Sequence, residues 1–170
     1  MTPGTERGDG GGVDRLRVLA WRRRVATDPA VAWARFLEHL WIGGGGFGPR
    51  PVIEEAGDAH GLGCTRRIGG ARGVRERITA TDHPRWLEYR VTNPSWTTYP
   101  VDHHRGTVAF AACDGGGTEV RWRVEYVPKR GVGPLVAVAT RTVIGRYLDA
   151  LERACGTAAE PVAGPPHLRR

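Results

Sequence analysis

Two ionisable side chains, Glu76 and His104, occur in stretches whose alternation places them on the apolar side of a strand. Glu76 has the same parity as Ile78 and Ala80, which predicts one shared face for the three, and His104 has the same parity as Val108. A buried carboxylate is costly unless it loses its charge or finds a cation. The two groups have the chemistry to orient or protonate the carbonyl group of a bound molecule. The alternative is a structural role, as a buried ion pair or at an edge position open to water.

A cation for Glu76 would have to come from another element that faces the same covered side. Arg23 shares the apolar parity of the first predicted strand, and Arg141 lies on the long C-terminal helical stretch. We expect one of these two arginines to pair with Glu76. Arg141 is also a candidate for contacting a ligand.

Motifs for other kinds of chemistry are incomplete. Residues 43–48 are glycine-rich, but no Gly-Lys-Ser/Thr follows them, so they are neither a phosphate loop nor a dinucleotide fingerprint. His103 and His104 are adjacent and point to opposite faces of a strand. His60 and Cys64 lack the second pair of ligands that a zinc site needs. The sequence therefore predicts no metal and no cofactor.

The elements that position Glu76 and His104 follow from hydrophobic periodicity. Residues 118–127 alternate most clearly between apolar and charged side chains, which predicts an antiparallel sheet with one wet face and one covered face. Helical spacing occurs in residues 29–41 and again in residues 133–155. The predicted fold is α+β, with a curved sheet wrapped around the C-terminal helix. The predicted strands are residues 15–26, 51–55, 62–68, 73–80, 85–92, 103–112 and 118–127.

Length and composition are those of a single domain. The chain has 170 residues, of which 40% are apolar, and it contains no apolar run long enough to span a bilayer and no secretory signal. Three widely spaced cysteines indicate reduced thiols and a cytoplasmic protein. We expect one folded domain over residues 15–156, a disordered leader over residues 1–14 and a disordered tail over residues 157–170.

The formal net charge of +7 does not by itself indicate nucleic-acid binding. All basic residues except Lys129 are arginines, and they are scattered among acidic residues rather than gathered on one helix. This distribution favours a solvated sheet face. Contact of that face with an acidic protein or RNA is the alternative.

Three stretches carry a resemblance to a known superfamily. Residues 23–36 (RRVATDPAVAWARF), 74–91 (VRERITATDHPRWLEYRV) and 117–128 (GTEVRWRVEYVP) resemble the opening strand and helix, the central hairpin and the last strand of the helix-grip superfamily. This superfamily, SRPBCC, includes the birch-pollen allergens, START domains and polyketide cyclases. The resemblance covers residues 15–156 and is closest to the polyketide cyclase/dehydrase-like branch. It implies a seven-stranded curved antiparallel sheet, two short helices after the first strand and a long C-terminal helix.

The resemblance further implies a tunnel between sheet and helix that holds a hydrophobic molecule. Inward parity would place aromatic and aliphatic side chains there, although the same residues would also suit a solid core. Trp96 and Tyr99, in residues 92–100, would form a lid over the tunnel or fold over the edge of the core. The other candidate lining residues are Trp21, Trp33, Phe36, Ile78, Tyr89, Val108, Phe110, Trp122, Val143 and Tyr147.

Three functions are open at this point. The first is binding of a hydrophobic or aromatic small molecule, such as a polyketide, a lipid or a related metabolite. The second is a cyclase or dehydratase that acts on a bound poly-keto chain, with Glu76 or His104 as acid or base. The third is an interaction module that uses the basic sheet face.

Overall fold

A computed structural model describes residues 16–156 and confirms the predicted α+β architecture. The predicted leader, residues 1–14, and the predicted tail, residues 157–170, lie outside the described residues. The elements in chain order are β1 (Arg17–Val25), α1 (Pro29–Arg35), a π-helical segment (Phe36–Ile42), a 3₁₀ turn (Gly44–Gly46), β2 (Val52–Glu55), β3 (Thr65–Ile68), β4 (Val74–Asp82), β5 (Trp86–Val91), β6 (Val101–Ala112), β7 (Thr118–Pro128) and α2 (Gly133–Cys155).

The strands form one antiparallel sheet of seven, in the order β1-β7-β6-β5-β4-β3-β2. The alternation of β7 is confirmed, because Val120, Trp122, Val124 and Tyr126 are all buried on the inner face. The β6–β7 hairpin aligns Val108 with Trp122, so the inner faces of the two strands coincide.

A bulge in β4 changes the parity of that strand. Ile78 pairs with Tyr89, but two residues later Ala80 pairs with Glu88, so Thr79 is the additional residue. Because directly opposed residues share a face, Ala80 lies on the outer side with Glu88. The prediction that Ala80 shares the inner face with Ile78 is therefore wrong.

The helix ends are fixed by local hydrogen bonds. The Asp28 carboxylate accepts from the backbone N–H groups of Ala30 and Val31, each at 3.0 Å, which begins α1. At the other end of the domain, Gly156 has φ +79° and terminates α2. Its carbonyl accepts from Ala26 N–H at 3.0 Å, so the end of α2 is tied to the end of β1.

The core is solid where the C-terminal half of α2 meets α1 and the sheet. The ring centroids of Trp33 and Phe110 lie 5.4 Å apart, and those of Phe36 and Phe110 lie 5.8 Å apart. Leu148 and Leu151 of α2 are fully buried beside them. Open space between the sheet and α2 therefore begins only toward the middle of the helix.

The outer face of the sheet is a network of ion pairs. Glu88 accepts from Arg90 Nε at 3.0 Å and from Arg105 Nε at 2.6 Å. On β7, which neighbours β6, Arg123 Nε donates to Glu125 at 2.8 Å. Much of the arginine charge on this face is thus compensated by neighbouring glutamates.

Candidate functional site

A cavity of about 340 Å³ lies between the inner face of the sheet and the middle of α2. The segment after the π-helix, with Phe47 and Pro49, forms one side of it. Seven of the residues proposed from the sequence line this cavity: Glu76, Tyr89, Tyr99, His104, Trp122, Val143 and Tyr147. Lining residues that the sequence did not single out include Arg66, Ile68, Val74, Val91 and Thr140.

The remaining proposed residues lie elsewhere. Trp96 is 61% exposed and lies beside the Lys129 ammonium, 5.8 Å from its ring centroid. Arg141 is exposed on α2, and Trp21 is half-buried on β1. A further group, Trp33, Phe36, Ile78, Val108 and Phe110, is buried in the solid part of the core.

The partner of Glu76 is Arg66, and the prediction of Arg23 or Arg141 is wrong. Arg66 Nε donates to Glu76 Oε2 at 2.8 Å, and Arg66 Nη2 lies 2.7 Å from the same oxygen, because β3 and β4 place the two residues directly opposite each other. Arg23 instead pairs with Asp149 at 2.8 Å, on the C-terminal half of α2.

The guanidinium of Arg66 also holds the end of the π-helical segment. Its Nη1 donates to the carbonyls of Leu40 and Trp41 at 2.8 and 2.9 Å, and its Cζ lies 4.0 Å from the centroid of the Trp41 ring. Burial opposes the positive charge, but the Glu76 carboxylate outweighs it and holds the pKa of Arg66 above its ordinary value. One side chain therefore connects β3, β4, the π-helical segment and the cavity wall.

His104 is buried on the cavity wall between two tyrosine rings. Its Nδ1 accepts the backbone N–H of Val91 at 3.3 Å, which assigns the proton of the neutral ring to Nε2. Burial lowers the pKa of His104 to about 4, although the charge of Glu76 acts in the opposite direction. At neutral pH the imidazole is therefore an uncharged hydrogen-bond donor.

Tyr89 and Trp122 form a second polar contact at the cavity wall. Trp122 Nε1 donates to the Tyr89 hydroxyl at 2.9 Å, and the Trp122 ring stacks on Tyr147 with centroids 5.9 Å apart. Burial raises the pKa of Tyr89 well above its ordinary value, so the phenol stays protonated. The Tyr89 ring lies over Gly106, where a side chain would collide with it.

Tyr99 connects the segment 92–100 to α2. Its hydroxyl lies 2.9 Å from Thr140 Oγ1, and burial raises the pKa of Tyr99 to about 12. Tyr99 thus closes part of the cavity wall where β5 ends and β6 begins, whereas Trp96 is exposed to solvent. A lid function of this segment remains a prediction.

Within residues 16–156 no group of three or more His, Cys, Asp or Glu side chains is arranged to hold a metal ion. In the same part of the chain no helix is both long enough and apolar enough to cross a membrane. The polar side chains that line the cavity include one ion pair, one imidazole and three phenols.

Comparison with known proteins agrees with this geometry. Residues 18–156 match the family model described as polyketide cyclase/dehydrase and lipid transport. No curated protein sequence gives a significant match.

Solved structures share the fold at low sequence identity. The allergen Ara h 8.0201 has a TM-score of 0.64 at 14% identity, over 82% of this chain and 97% of its own. Norcoclaurine synthase from Thalictrum flavum, in complex with dopamine and hydroxybenzaldehyde, has a TM-score of 0.62 at 14% identity, over 91% of this chain and 95% of its own. The protein XoxI from Bacillus cereus has a TM-score of 0.59 at 16% identity, over 81% of this chain and 94% of its own.

Proposed function

Since the chain belongs to the polyketide cyclase/dehydrase and lipid-transport family, we propose that it binds a small hydrophobic or aromatic molecule between the sheet and α2. The observation that supports this proposal is the cavity of about 340 Å³ beside an otherwise tightly packed core. Protein interiors normally leave few voids larger than a water molecule. This volume is near the lower end of the ~300–1,000 Å³ range of small-molecule sites.

The cavity volume limits the size of the ligand. At roughly 30 Å³ for each water-sized group, it holds on the order of ten to fifteen non-hydrogen atoms. A one- or two-ring aromatic compound has this size. Burial of about 200 Å² of its apolar surface contributes about 5 kcal/mol before the entropic cost of binding. Apolar burial alone therefore predicts dissociation constants of about 0.2 mM or weaker.

Two experiments test this proposal. Native mass spectrometry of freshly purified protein would identify a co-purified small molecule, and calorimetry would measure binding of 2-acetylnaphthalene, a neutral bicyclic probe. Ala139→Trp places a large side chain at the cavity wall and should weaken binding at least tenfold. Val138→Trp is the matched control, because Val138 is 60% exposed on the same helix and lies outside the cavity lining.

The proposal is wrong if the probe does not bind and nothing co-purifies. It is also wrong if Ala139→Trp and Val138→Trp affect binding equally, since the probe would then occupy another place.

Catalysis as a cyclase or dehydratase is the second candidate, because Glu76 brings a carboxylate to the cavity wall. Its Oε2 is bonded to Arg66, which leaves Oε1 as the oxygen for proton transfer with a ligand. His104 is uncharged at neutral pH and acts there as a donor rather than a strong acid. If a poly-keto substrate is turned over, Glu76→Gln should abolish turnover while keeping binding. If the unmodified protein shows no turnover, ligand binding remains the only one of these two functions with support.

The interaction module has less support. Its basis was a basic sheet face, and on that face Arg90 and Arg105 are already bonded to Glu88. Binding of RNA that collapses with added salt would restore this alternative.

A further inference from the structure

The charged groups of the cavity wall compensate one another. Among the described residues that line the cavity, Arg66, Glu76 and His104 are the only ones with Arg, Lys, Asp, Glu or His side chains. Arg66 and Glu76 form an ion pair, and His104 is neutral at pH 7 because burial lowers its pKa to about 4. The wall therefore has no net charge with which to receive an ionic ligand.

Arg66 has almost no capacity left for an external anion. Its Nη1 donates to two backbone carbonyls, its Nε donates to Glu76, and its Nη2 lies 2.7 Å from the same carboxylate oxygen. A guanidinium has five N–H donors, so at most two remain, both on the Nη2 that is already in contact with the Glu76 carboxylate. A ligand carboxylate would enter a space whose cation is already neutralised, and burial of an unpaired charge is strongly unfavourable.

Two polar atoms of Glu76 and His104 remain available to a ligand. Glu76 Oε1 has no hydrogen-bond partner among the described residues, since Arg66 contacts the carboxylate at Oε2. His104 Nε2–H is likewise unpartnered there, because only Nδ1 is used, by Val91. The His104 residue is 7% exposed and the Glu76 side chain 14%. Glu76 and His104 thus offer one acceptor and one donor on a largely apolar wall that also carries the hydroxyl groups of three tyrosines.

We infer that the cavity selects a neutral one- or two-ring molecule with a hydroxyl group that donates to Glu76 Oε1 and a carbonyl group that accepts from His104 Nε2. This inference rests on the proposed function and specifies its ligand class. A hydrogen bond to the buried carboxylate should strengthen binding about tenfold to hundredfold, and one to the neutral imidazole about threefold to tenfold.

Calorimetry with a set of naphthalenes measures this selectivity. The set contains 2-acetylnaphthalene, which has only the acceptor, 2-naphthol, which has only the donor, hydroxyacetylnaphthalenes with the two groups in different relative positions, and 6-hydroxy-2-naphthoate, which is anionic. At pH 7 at least one hydroxyacetylnaphthalene should bind tighter than both singly substituted compounds. The carboxylate should bind at least tenfold more weakly than the best neutral compound.

Variants assign each hydrogen bond to its residue. Glu76→Gln can keep a carbonyl oxygen toward Arg66 and turn an amide N–H₂ toward the ligand, which replaces the free acceptor by a donor. Its preference should shift from the hydroxyl compound to the corresponding methoxy compound. His104→Gln should reduce the advantage of the acetyl group. Glu88→Gln and His103→Gln are matched controls, because Glu88 and His103 lie outside the cavity lining.

The outcomes separate this inference from the function on which it rests. Equal binding of all neutral compounds, or tightest binding of the carboxylate, would overturn the inference and leave a nonselective cavity. Absence of binding by every compound, together with the absence of a co-purified molecule, would overturn the proposed function as well. If Glu76→Gln does not fold, the ranking of compounds on the unmodified protein still decides the question.

Discussion

Replacement of Gly106 by alanine tests the packing of the cavity wall most directly. Gly106 on β6 lies directly opposite Tyr89 on β5. A Cβ at this position would lie 2.6 Å from the Tyr89 hydroxyl oxygen and even closer to the ring carbons. The Tyr89 ring would have to move, and the hydrogen bond from Trp122 Nε1, now 2.9 Å, would break.

The expected loss of stability has two parts. Overpacking costs about 1–3 kcal/mol, and a buried indole N–H without a partner costs about 1–3 kcal/mol more. The free energy of unfolding should therefore fall by about 2–6 kcal/mol, which lowers the thermal midpoint by roughly 5–20 °C. Urea and thermal denaturation followed by circular dichroism measure both quantities. The affinity for 2-acetylnaphthalene should fall as well, because the Tyr89 ring forms part of the cavity wall.

A control and a double-mutant cycle isolate the cause. Gly145→Ala makes the same change in α2, where a Cβ would meet no atom within 4 Å, and should stabilise the protein by up to about 1 kcal/mol. In a Tyr89→Leu background, Gly106→Ala should cost less than about 1 kcal/mol, since the clashing ring is gone. An undiminished cost in that background would refute the explanation.

Three further predictions concern charge and the cavity edge. Burial lowers the pKa of His104 from 6.5 to about 4, so between these pH values the unfolded state binds more protons than the folded state. The free energy of unfolding should therefore fall by up to about 3 kcal/mol as the pH decreases from 6.5 to 4. In His104→Gln, the urea midpoint should fall less steeply over the same pH range. Arg66→Met leaves the Glu76 carboxylate buried without its cation and should lower the free energy of unfolding, measured by urea denaturation, by about 3–5 kcal/mol. The double variant Arg66→Met/Glu76→Gln should recover part of this loss. Tyr99→Phe removes the hydroxyl contact with Thr140, should cost about 1 kcal/mol and should speed dissociation of 2-acetylnaphthalene in stopped-flow measurements. An unchanged dissociation rate would argue against a lid at this segment.

Alternation predicted which face each long strand buries, because one side of an antiparallel sheet is covered and the other is wet. It failed at Ala80, since a bulge shifts the parity without any signal from a glycine or proline. It also could not separate the residues of the cavity wall, such as Tyr89, from those of the solid core, such as Phe36. Both kinds of residue are apolar and face inward, and only the three-dimensional packing distinguishes them.

The partner of Glu76 was within reach of sequence reasoning. The β3–β4 hairpin closes with Ile68 opposite Val74, and counting back two residues along β3 and forward two along β4 leads to Arg66 and Glu76. The two arginines predicted from parity, Arg23 and Arg141, lie on the first strand and the long helix, whereas the actual partner lies on the nearest antiparallel neighbour of β4. Hairpin register is thus a stronger guide to a buried ion pair than parity alone.

The several bonds of Arg66 have a practical consequence for protein engineering. Because this guanidinium joins two strands to the π-helical segment, changing it to alter ligand choice would also weaken the framework. Ala139 and Val143 offer a safer starting point, since both line the cavity from an exposed side of α2. Libraries at these two positions should yield variants with altered size preference whose thermal stability remains close to that of the parent.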